Sequence, residues 1–380
     1  MHDGIQCVRR DIRRIYRALT TCRLSVPRVI NLKHSTEASF ETLTPSQGVP
    51  RFPALDGWRG ISILLVLAGH VFPLGPKSLS MNASIAALGM AIFFTLSGFL
   101  ITTTLLYRPS VVEFLIRRLC RIVPLAWLFT LVVLAFVHAS FPVYIAHLFF
   151  FGNLPPFWLT GYTSHLWSLG VEMQFYLTIA AICLMFGRRG LWCIPFLCLL
   201  VTANRMLTHT LVSIVTSLRA DEILVGGVLA LACNTPHLPL IRKFLAWVNP
   251  LVLLPLAVLA SNDLCGSIDY LRPYLVASMV GSTLFQSPRT AVARLLQSRI
   301  LAYIAAISYA LYILHPIVSW GWLASGSLLV KYSKRIPELA AVFALAHLST
   351  FYFEHFWISA GKRWSKRLSR KARLDTASVA

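Results

Sequence analysis

Charged side chains are scarce in this 380-residue sequence, and acidic side chains are the scarcest. Charged residues make up 13% of the chain, 14 of them acidic and 35 basic, whereas 57% of all residues are hydrophobic. A soluble domain carries about 25% charged residues, so this composition, with its repeated long apolar runs, is typical of a polytopic membrane protein. The net charge of +21 lies in short loops and tails between those runs, which indicates membrane topology rather than nucleic-acid binding.

Several motifs for catalysis and metal binding are also missing. None of the eight cysteines belongs to a CxxC motif that pairs with a second one, so a zinc site and a disulfide framework both lack support. We therefore expect no metal. The sequence has no G-x-S-x-G elbow, which leaves a serine-hydrolase mechanism without support, and no Walker A motif for nucleotide hydrolysis.

Ten apolar runs follow a basic arm of residues 1–50, which we expect to be cytosolic. The runs lie at residues 57–74, 84–106, 119–138, 166–186, 190–208, 219–233, 244–260, 270–286, 300–320 and 337–359. Residues 142–152 are apolar but too short to cross a bilayer, which favours a re-entrant or interfacial segment. The sequence therefore predicts an all-α polytopic membrane protein with about ten transmembrane helices. Residues 51–359 form one membrane domain, and residues 360–380 form a basic cytosolic tail.

Lysine and arginine are distributed unevenly between the two sides of these runs. With both termini on one side, 27 of these residues lie on that side and seven on the other, while Arg59 lies inside a run. The positive-inside rule then predicts cytosolic termini and a multi-pass protein of the cell inner (plasma) membrane. The basic segment 331–335 falls on the far side. It indicates either a wrong span boundary or an external site for an anionic acceptor.

The first apolar run contains an acid, an arginine and a histidine: Asp56, Arg59 and His70. In a helix, residues eleven positions apart lie within roughly 20° of each other and about 16 Å apart along the axis. Arg59 and His70 therefore share one face. Because ionisable groups are costly inside a membrane, the pair indicates a functional site. Imidazole is suited to accepting a hydroxyl proton near neutral pH, and Asp56 or Glu172 could orient it or stabilise its charged form.

Two further arginines precede the third run, one helical turn apart. Arg118 and Arg121 could be ordinary positive-inside anchors, but such a fork also suits the phosphates of a nucleotide-type cofactor. The candidate substrate-binding residues are Trp167, Tyr309, Tyr312 and His315. Their alternative role is packing or an interfacial aromatic belt. Together, a base and a phosphate grip would allow acyl transfer from a CoA thioester to an alcohol, without a covalent enzyme intermediate.

Six motifs in this order resemble the acyltransferase 3 family, the membrane O-acyltransferases of surface glycans. Leu55 to His70 resembles LDGLRGIA…GH, Phe93 to Ile101 resembles FFxLSGFLI, and Arg118 and Arg121 match RxxR; Trp167 to Tyr176 resembles WSLSVEEQFY, Arg219 to Gly226 resembles RxDxLLxG, and Ser308 to Pro316 resembles SYxLYLxHxP. Each motif alone is weak, but six in order are highly specific. They extend over about residues 51–358.

The resemblance implies a ten-helix inner-membrane transferase. Such a protein moves an acyl group, acetyl by default, from cytosolic acyl-CoA to a hydroxyl of an extracytoplasmic carbohydrate or glycolipid. By this resemblance His70 is the general base, Arg59 assists at the donor, and Arg118 and Arg121 grip CoA. Met173 departs from the family pattern, since it replaces the second glutamate of VEEQFY. The competing hypothesis is a proton-coupled transporter that uses Asp56, His70 and Glu172 as a relay.

Overall fold

The computed structural model describes residues 52–108, 110–234, 239–287, 289–320 and 325–377, so the predicted basic arm lies outside the described residues. Every regular element within these ranges is helical, as predicted. The α-helices in chain order are α1 (Pro53–Val71), α2 (Met81–Tyr107), α3 (Val111–Phe136), α4 (Phe141–Leu148), α5 (Trp167–Phe186), α6 (Ile194–Leu207), α7 (Asp221–Asn234), α8 (Pro239–Trp247), α9 (Pro250–Leu259), α10 (Arg272–Thr283), α11 (Ala291–Leu296), α12 (Arg299–Leu314), α13 (Leu328–Leu348) and α14 (His355–Ala377). A π-helical turn, Ser349–Glu354, joins the last two.

Six helical stretches of the described chain are long and apolar enough to cross a membrane, or seven if the bent pair of α7 and α8 is one span. The six are Pro53–Val71, Met81–Tyr107, Val111–Phe136, Ser164–Leu207, Arg299–Ser319 and Leu328–Leu368. The chain is therefore a membrane protein. The helices α7, α9 and α10 coincide with predicted spans but have 14, 10 and 12 residues, fewer than the about 20 that a straight crossing needs. The count of about ten spans remains a prediction.

Several helices begin where the local sequence predicts a start. Proline opens α1, where its missing N–H removes no helical hydrogen bond. The side chain of Ser110 caps α3 by accepting a hydrogen bond from the backbone N–H of Glu113 at 3.3 Å. Ser298 caps α12 in the same way, through the N–H of Leu301. Local sequence therefore determines where these segments enter the bundle.

Two glycines allow α1 to pack closely against its neighbours. A Cβ on Gly57 would lie 2.1 Å from the carbonyl oxygen of Leu296, and a Cβ on Gly60 would lie 2.7 Å from that of Leu301. No larger residue fits either position without moving a backbone. These glycines flank Trp58 and Arg59, so the tight contact fixes the first turns of α1 against α11 and α12.

The buried core lies between α1, α2, α5, α7 and α12. Its fully buried side chains include Phe94, Phe99, Tyr176, Ile223 and Ile307. Since α1 packs against both α2 and α12, and α2 against α7, the helix with the arginine and histidine lies within the bundle. Asp56 and Arg59 are therefore partly buried, whereas His70, in the last turn, is exposed.

The predicted re-entrant or interfacial segment, residues 142–152, begins with the short helix α4. Eight residues span about 12 Å, which is too short to cross a bilayer. Gln174 on α5 holds the chain that follows: its amide donates to the Phe150 carbonyl at 2.8 Å and to Asn153 at 2.9 Å. Its oxygen accepts a hydrogen bond from Thr216 at 2.5 Å. The segment is therefore tied to the body of the bundle.

A chain of six buried charges connects α6, α7 and α10. In order of contact they are Asp221, Arg205, Asp269, Arg272, Glu222 and Arg219. Arg272 donates to Asp269 at 2.5 Å and to Glu222 at 2.7 Å. Buried charges of opposite sign in direct contact offset each other's desolvation. This network therefore joins α6 to the short helices α7 and α10.

Candidate active site

One face of α1 joins two polar regions of the molecule. Arg59 lies in its second turn and His70 in its last, and the side chains between them line a narrow, mostly apolar cavity, which we call the central cavity. Its lining residues are Ser62, Ile63, Val66, Met90, Phe93, Ser168, Leu169, Glu172, Ser308, Tyr309 and Tyr312. We call the two regions the arginine end and the histidine end. The cavity occupies the space between them.

The arginine end brings together three guanidinium groups that are distant in sequence. Arg59 is within electrostatic reach of Arg118 and Arg121, and also of the carboxylates of Asp56 and Glu172. Within the described part of the chain, none of the three guanidinium groups makes a hydrogen bond or an ion pair. Like charges that lie close together repel one another, so this cluster is suited to an anionic ligand.

The neighbouring Arg117 differs from Arg118 because its guanidinium group has polar partners. It forms an ion pair with Glu113 at 3.3 Å and donates to the Ser365 hydroxyl at 3.0 Å. Arg118 instead lies against aromatic rings, with its guanidinium carbon 5.7 Å from the centre of the Tyr176 ring. Arg117 thus joins α3 to α14, while Arg118 keeps its N–H donors available.

Glu172 is within electrostatic reach of Arg59 and Arg121 at the arginine end. One carboxylate oxygen accepts hydrogen bonds from the hydroxyls of Ser97, at 2.7 Å, and Tyr176. The side chain is buried and borders the central cavity. Asp56 is remote from the histidine, since fourteen helical residues span about 21 Å. Within the described residues, neither acid makes a hydrogen bond to His70.

The orientation of His70 comes from its own helix. Its Nδ1 lies 2.8 Å from the Val66 carbonyl oxygen. A carbonyl only accepts hydrogen bonds, so Nδ1 carries the proton in the neutral ring, and Nε2 carries the lone pair. His70 is exposed, and no described residue makes a hydrogen bond to its Nε2. This nitrogen is therefore available to take a proton.

Two more histidines pack beside His70. The ring of His315 lies 5.2 Å from that of His70, and the ring of His165 lies 5.5 Å from that of His315. His165 is 8% exposed, and neither of its ring nitrogens makes a hydrogen bond to a side chain or backbone group of the described residues. His165 is not among the site residues predicted from the sequence. Its position just before the Trp167 motif was the available signal.

The predicted aromatic residues line this region, but their polar atoms are already engaged. The Tyr312 hydroxyl contacts Ser168 at 2.5 Å and donates to the His165 carbonyl. The Tyr309 hydroxyl donates to the Ile122 carbonyl at 2.5 Å. Both rings line the central cavity, while the hydroxyl of each tyrosine is already hydrogen-bonded to the protein. The two tyrosines therefore form part of the cavity wall.

Trp167 lies behind this wall. Its ring makes an edge contact with Phe94, with 5.7 Å between ring centres, and the guanidinium of Arg219 lies 5.4 Å above it. The tryptophan therefore connects the buried charge chain to the packing around the central cavity. Within the described residues, no group of three His, Cys, Asp or Glu side chains is arranged to hold a metal ion.

The sequence that forms this site matches a known protein family. The family model described as an acyltransferase domain matches residues 52–355, which include both ends of the site. The chain belongs to the acyltransferase 3 family. The matched region covers α1 to the first residue of α14, so every candidate site residue lies within it.

Curated relatives from two bacteria match part of this acyltransferase 3 chain. The peptidoglycan O-acetyltransferase OatA of Listeria monocytogenes is 33% identical over 162 residues, which are 35% of this chain and 24% of the relative. The O-acetyltransferase OatA of Staphylococcus aureus is 32% identical over 155 residues, or 34% and 24% of the two chains. The chain therefore covers about a quarter of the length of these relatives. No solved structure matches.

Proposed function

We propose that this protein is a membrane O-acetyltransferase that moves an acetyl group from acetyl-CoA to a hydroxyl of an extracytoplasmic carbohydrate or glycolipid. One observation carries the proposal. Three guanidinium groups that no described residue pairs lie around the start of α1, an imidazole whose Nε2 no described residue contacts lies near its end, and the α1 side chains between them line the central cavity. Family membership and the O-acetyltransferase names of the relatives support the same reaction class.

The donor would enter at the arginine end. Arg59, Arg118 and Arg121 present forked N–H donors, which match phosphate oxygens better than a lysine does. The CoA phosphates would bind there, and the pantetheine arm would extend toward His70 past Ser62 and Val66, which requires the narrow central cavity to widen. This arrangement explains the separation of about 16 Å between Arg59 and His70. The two residues act on different parts of one extended donor.

The chemical step needs only the thioester, the acceptor and one base. His70 Nε2 accepts the proton of the acceptor hydroxyl while the oxygen attacks the thioester carbonyl carbon. The new C–O ester bond forms, the C–S bond breaks, and the CoA thiolate takes the proton from the imidazolium. The Val66 carbonyl keeps Nδ1 as the protonated nitrogen throughout. A metal has no role in this scheme.

The topology proposal follows from the same arrangement. Acyl-CoA is cytosolic, so the arginine end faces the cytosol and the histidine end faces the other side of the inner membrane. About ten crossings, with α7, α9 and α10 included, put both termini in the cytosol, in agreement with the 27 to seven distribution of basic residues. The proposed domains are a cytosolic arm (1–50), the acyltransferase membrane domain (51–359) and a cytosolic tail (360–380).

The direct test is transfer of a labelled acetyl group. Purified protein in detergent or proteoliposomes receives labelled acetyl-CoA and membrane glycan fragments, and mass spectrometry looks for one acetyl increment on the glycan. Cell-surface glycans with and without the protein give the parallel result in cells. Transfer that requires the intact protein supports the proposal. Substrate flux across proteoliposomes without any acyl-CoA would instead support the transporter hypothesis.

A further inference from the structure

The histidine end contains two imidazoles in the same chemical state. His315 Nδ1 lies 2.7 Å from the Tyr312 carbonyl oxygen, as His70 Nδ1 lies 2.8 Å from that of Val66. Both carbonyls only accept, so both neutral rings carry the proton on Nδ1 and a lone pair on Nε2. His315 is 2% exposed, and a charged ring is costly at such a buried position.

These two lone pairs cannot satisfy each other. Two acceptors do not form a hydrogen bond, although the ring centres of His70 and His315 are 5.2 Å apart. No described residue donates to either Nε2. The pair therefore lacks two hydrogen-bond donors, and a ligand that carries two adjacent O–H groups would supply both.

We propose that His70 and His315 together recognise two neighbouring hydroxyls of a pyranose acceptor, of which one is acylated and the other holds the ring in register. This inference rests on the proposed O-acetyltransferase function and names the substrate class: a sugar ring with paired hydroxyls. A hydroxyl hydrogen bond spans about 2.8 Å, so adjacent ring hydroxyls can reach both acceptors at once. His70 removes the proton that is lost, and His315 accepts a hydrogen bond that stays intact.

The surroundings hold His315 firmly in this position. The ring of His165 lies edge-on to it at 5.5 Å, and that of Tyr312 lies 5.7 Å away. The Tyr312 hydroxyl is in turn fixed by Ser168 and the His165 carbonyl. A ring supported on several sides by packed aromatic groups is preorganised, which is what discrimination between similar substrates needs.

The experiment crosses enzyme variants with acceptor variants. The acceptors are methyl N-acetyl-β-D-glucosaminide and its 3-deoxy, 4-deoxy and 6-deoxy analogues, with the acylated position determined by NMR. For the wild type, loss of one particular hydroxyl that is not itself acylated should lower kcat/KM by about 10- to 100-fold, because it leaves His315 unpaired. In His315→Phe, the ratio of kcat/KM for the parent sugar to kcat/KM for that deoxy analogue should fall to about one. His315→Gln retains an acceptor oxygen and should keep part of the discrimination.

A matched control is His147, another buried histidine whose Nδ1 meets a carbonyl, here that of Val143 at 2.8 Å. Its Nε2 is already occupied by the Thr163 hydroxyl at 2.8 Å, so His147→Gln should leave the wild-type ratio unchanged. A wild type that acylates every analogue retaining the reactive hydroxyl equally well, or none of the pyranosides, overturns this inference, as does an unchanged ratio in His315→Phe. If that variant does not fold, the wild-type and His315→Gln ratios decide. Failure of the proposed function gives a different result, since the wild type would then also transfer no labelled acetyl group to membrane glycan fragments.

Discussion

Gly98 on α2 lies directly against the backbone of Ile223 on α7. A Cβ on Gly98 would be 1.8 Å from the Ile223 carbonyl oxygen, and a Cβ on Gly226 would be 2.0 Å from the Thr95 carbonyl oxygen. The two helices therefore meet backbone to backbone, with a glycine supplied by each. Small residues commonly permit such contacts between membrane helices. The glycines of two family motifs thus have a shared packing role.

This contact predicts a large effect of adding one methyl group. Gly98→Ala should force α2 and α7 apart and lower the stability of the folded protein by at least about 1–3 kcal/mol, the usual range for overpacking. Thermal unfolding in detergent, followed by loss of the monodisperse peak in size-exclusion chromatography, measures the change. Gly161→Ala is the control, because no atom lies within 4 Å of a Cβ built there. Equal stability of the two variants would contradict the packing assignment.

The unpaired arginines predict a defect in donor binding. Arg118→Ala combined with Arg121→Ala should raise the apparent KM for acetyl-CoA by at least about tenfold, since a hydrogen bond to a charged group contributes about 1.5–3 kcal/mol. Steady-state kinetics at constant ionic strength, with a thermal-shift titration of CoA, provide the measurement.

Arg117→Ala separates this effect from a general loss of positive charge. Arg117 is already paired with Glu113 and bonded to Ser365, so its removal should change the KM by less than the loss of either neighbour. An unchanged affinity for acetyl-CoA in the double variant would refute the donor site at the arginine end.

The free Nε2 of His70 predicts a catalytic defect without a folding defect. His70→Ala should reduce kcat by about 10²- to 10⁴-fold, the range for loss of a general base, while CoA binding at the distant arginine end persists. Transfer assays and CoA titration on the same protein preparation measure both quantities. His355→Ala removes an exposed imidazole at the start of α14 and should retain activity. Full activity of His70→Ala would exclude it as the base.

The buried charge chain predicts a strong effect of a near-isosteric change. Asp269→Asn removes the negative charge that Arg205 and Arg272 share. Breaking a buried ion pair in this way typically costs about 3–5 kcal/mol, because a charge is left uncompensated. Thermal unfolding should therefore shift far more for Asp269→Asn than for Asp263→Asn, where the carboxylate is exposed. Comparable shifts in the two variants would show that the buried charge chain contributes little to the stability of the protein.

Local patterns in the sequence predicted much of the fold and part of the site. Low charge and long apolar runs depend on composition alone, and they correctly indicated an all-helical membrane protein. The periodicity of one helix placed Arg59 and His70 on the same face. The sequence did not establish the number of crossings, because several predicted spans contain helices that are short for a bilayer.

The sequence by itself indicated which residues are suited to the proposed chemistry and which of them share a helix. Only the tertiary structure brought Arg118 and Arg121 beside Arg59, and His315 beside His70. It also associated Glu172 with the arginines rather than with the histidine. Helical periodicity is fixed by the local backbone, whereas contacts between helices distant in sequence depend on how the whole bundle packs. The candidate residues of the two ends can therefore be selected from the sequence. Which of them contact one another depends on the fold.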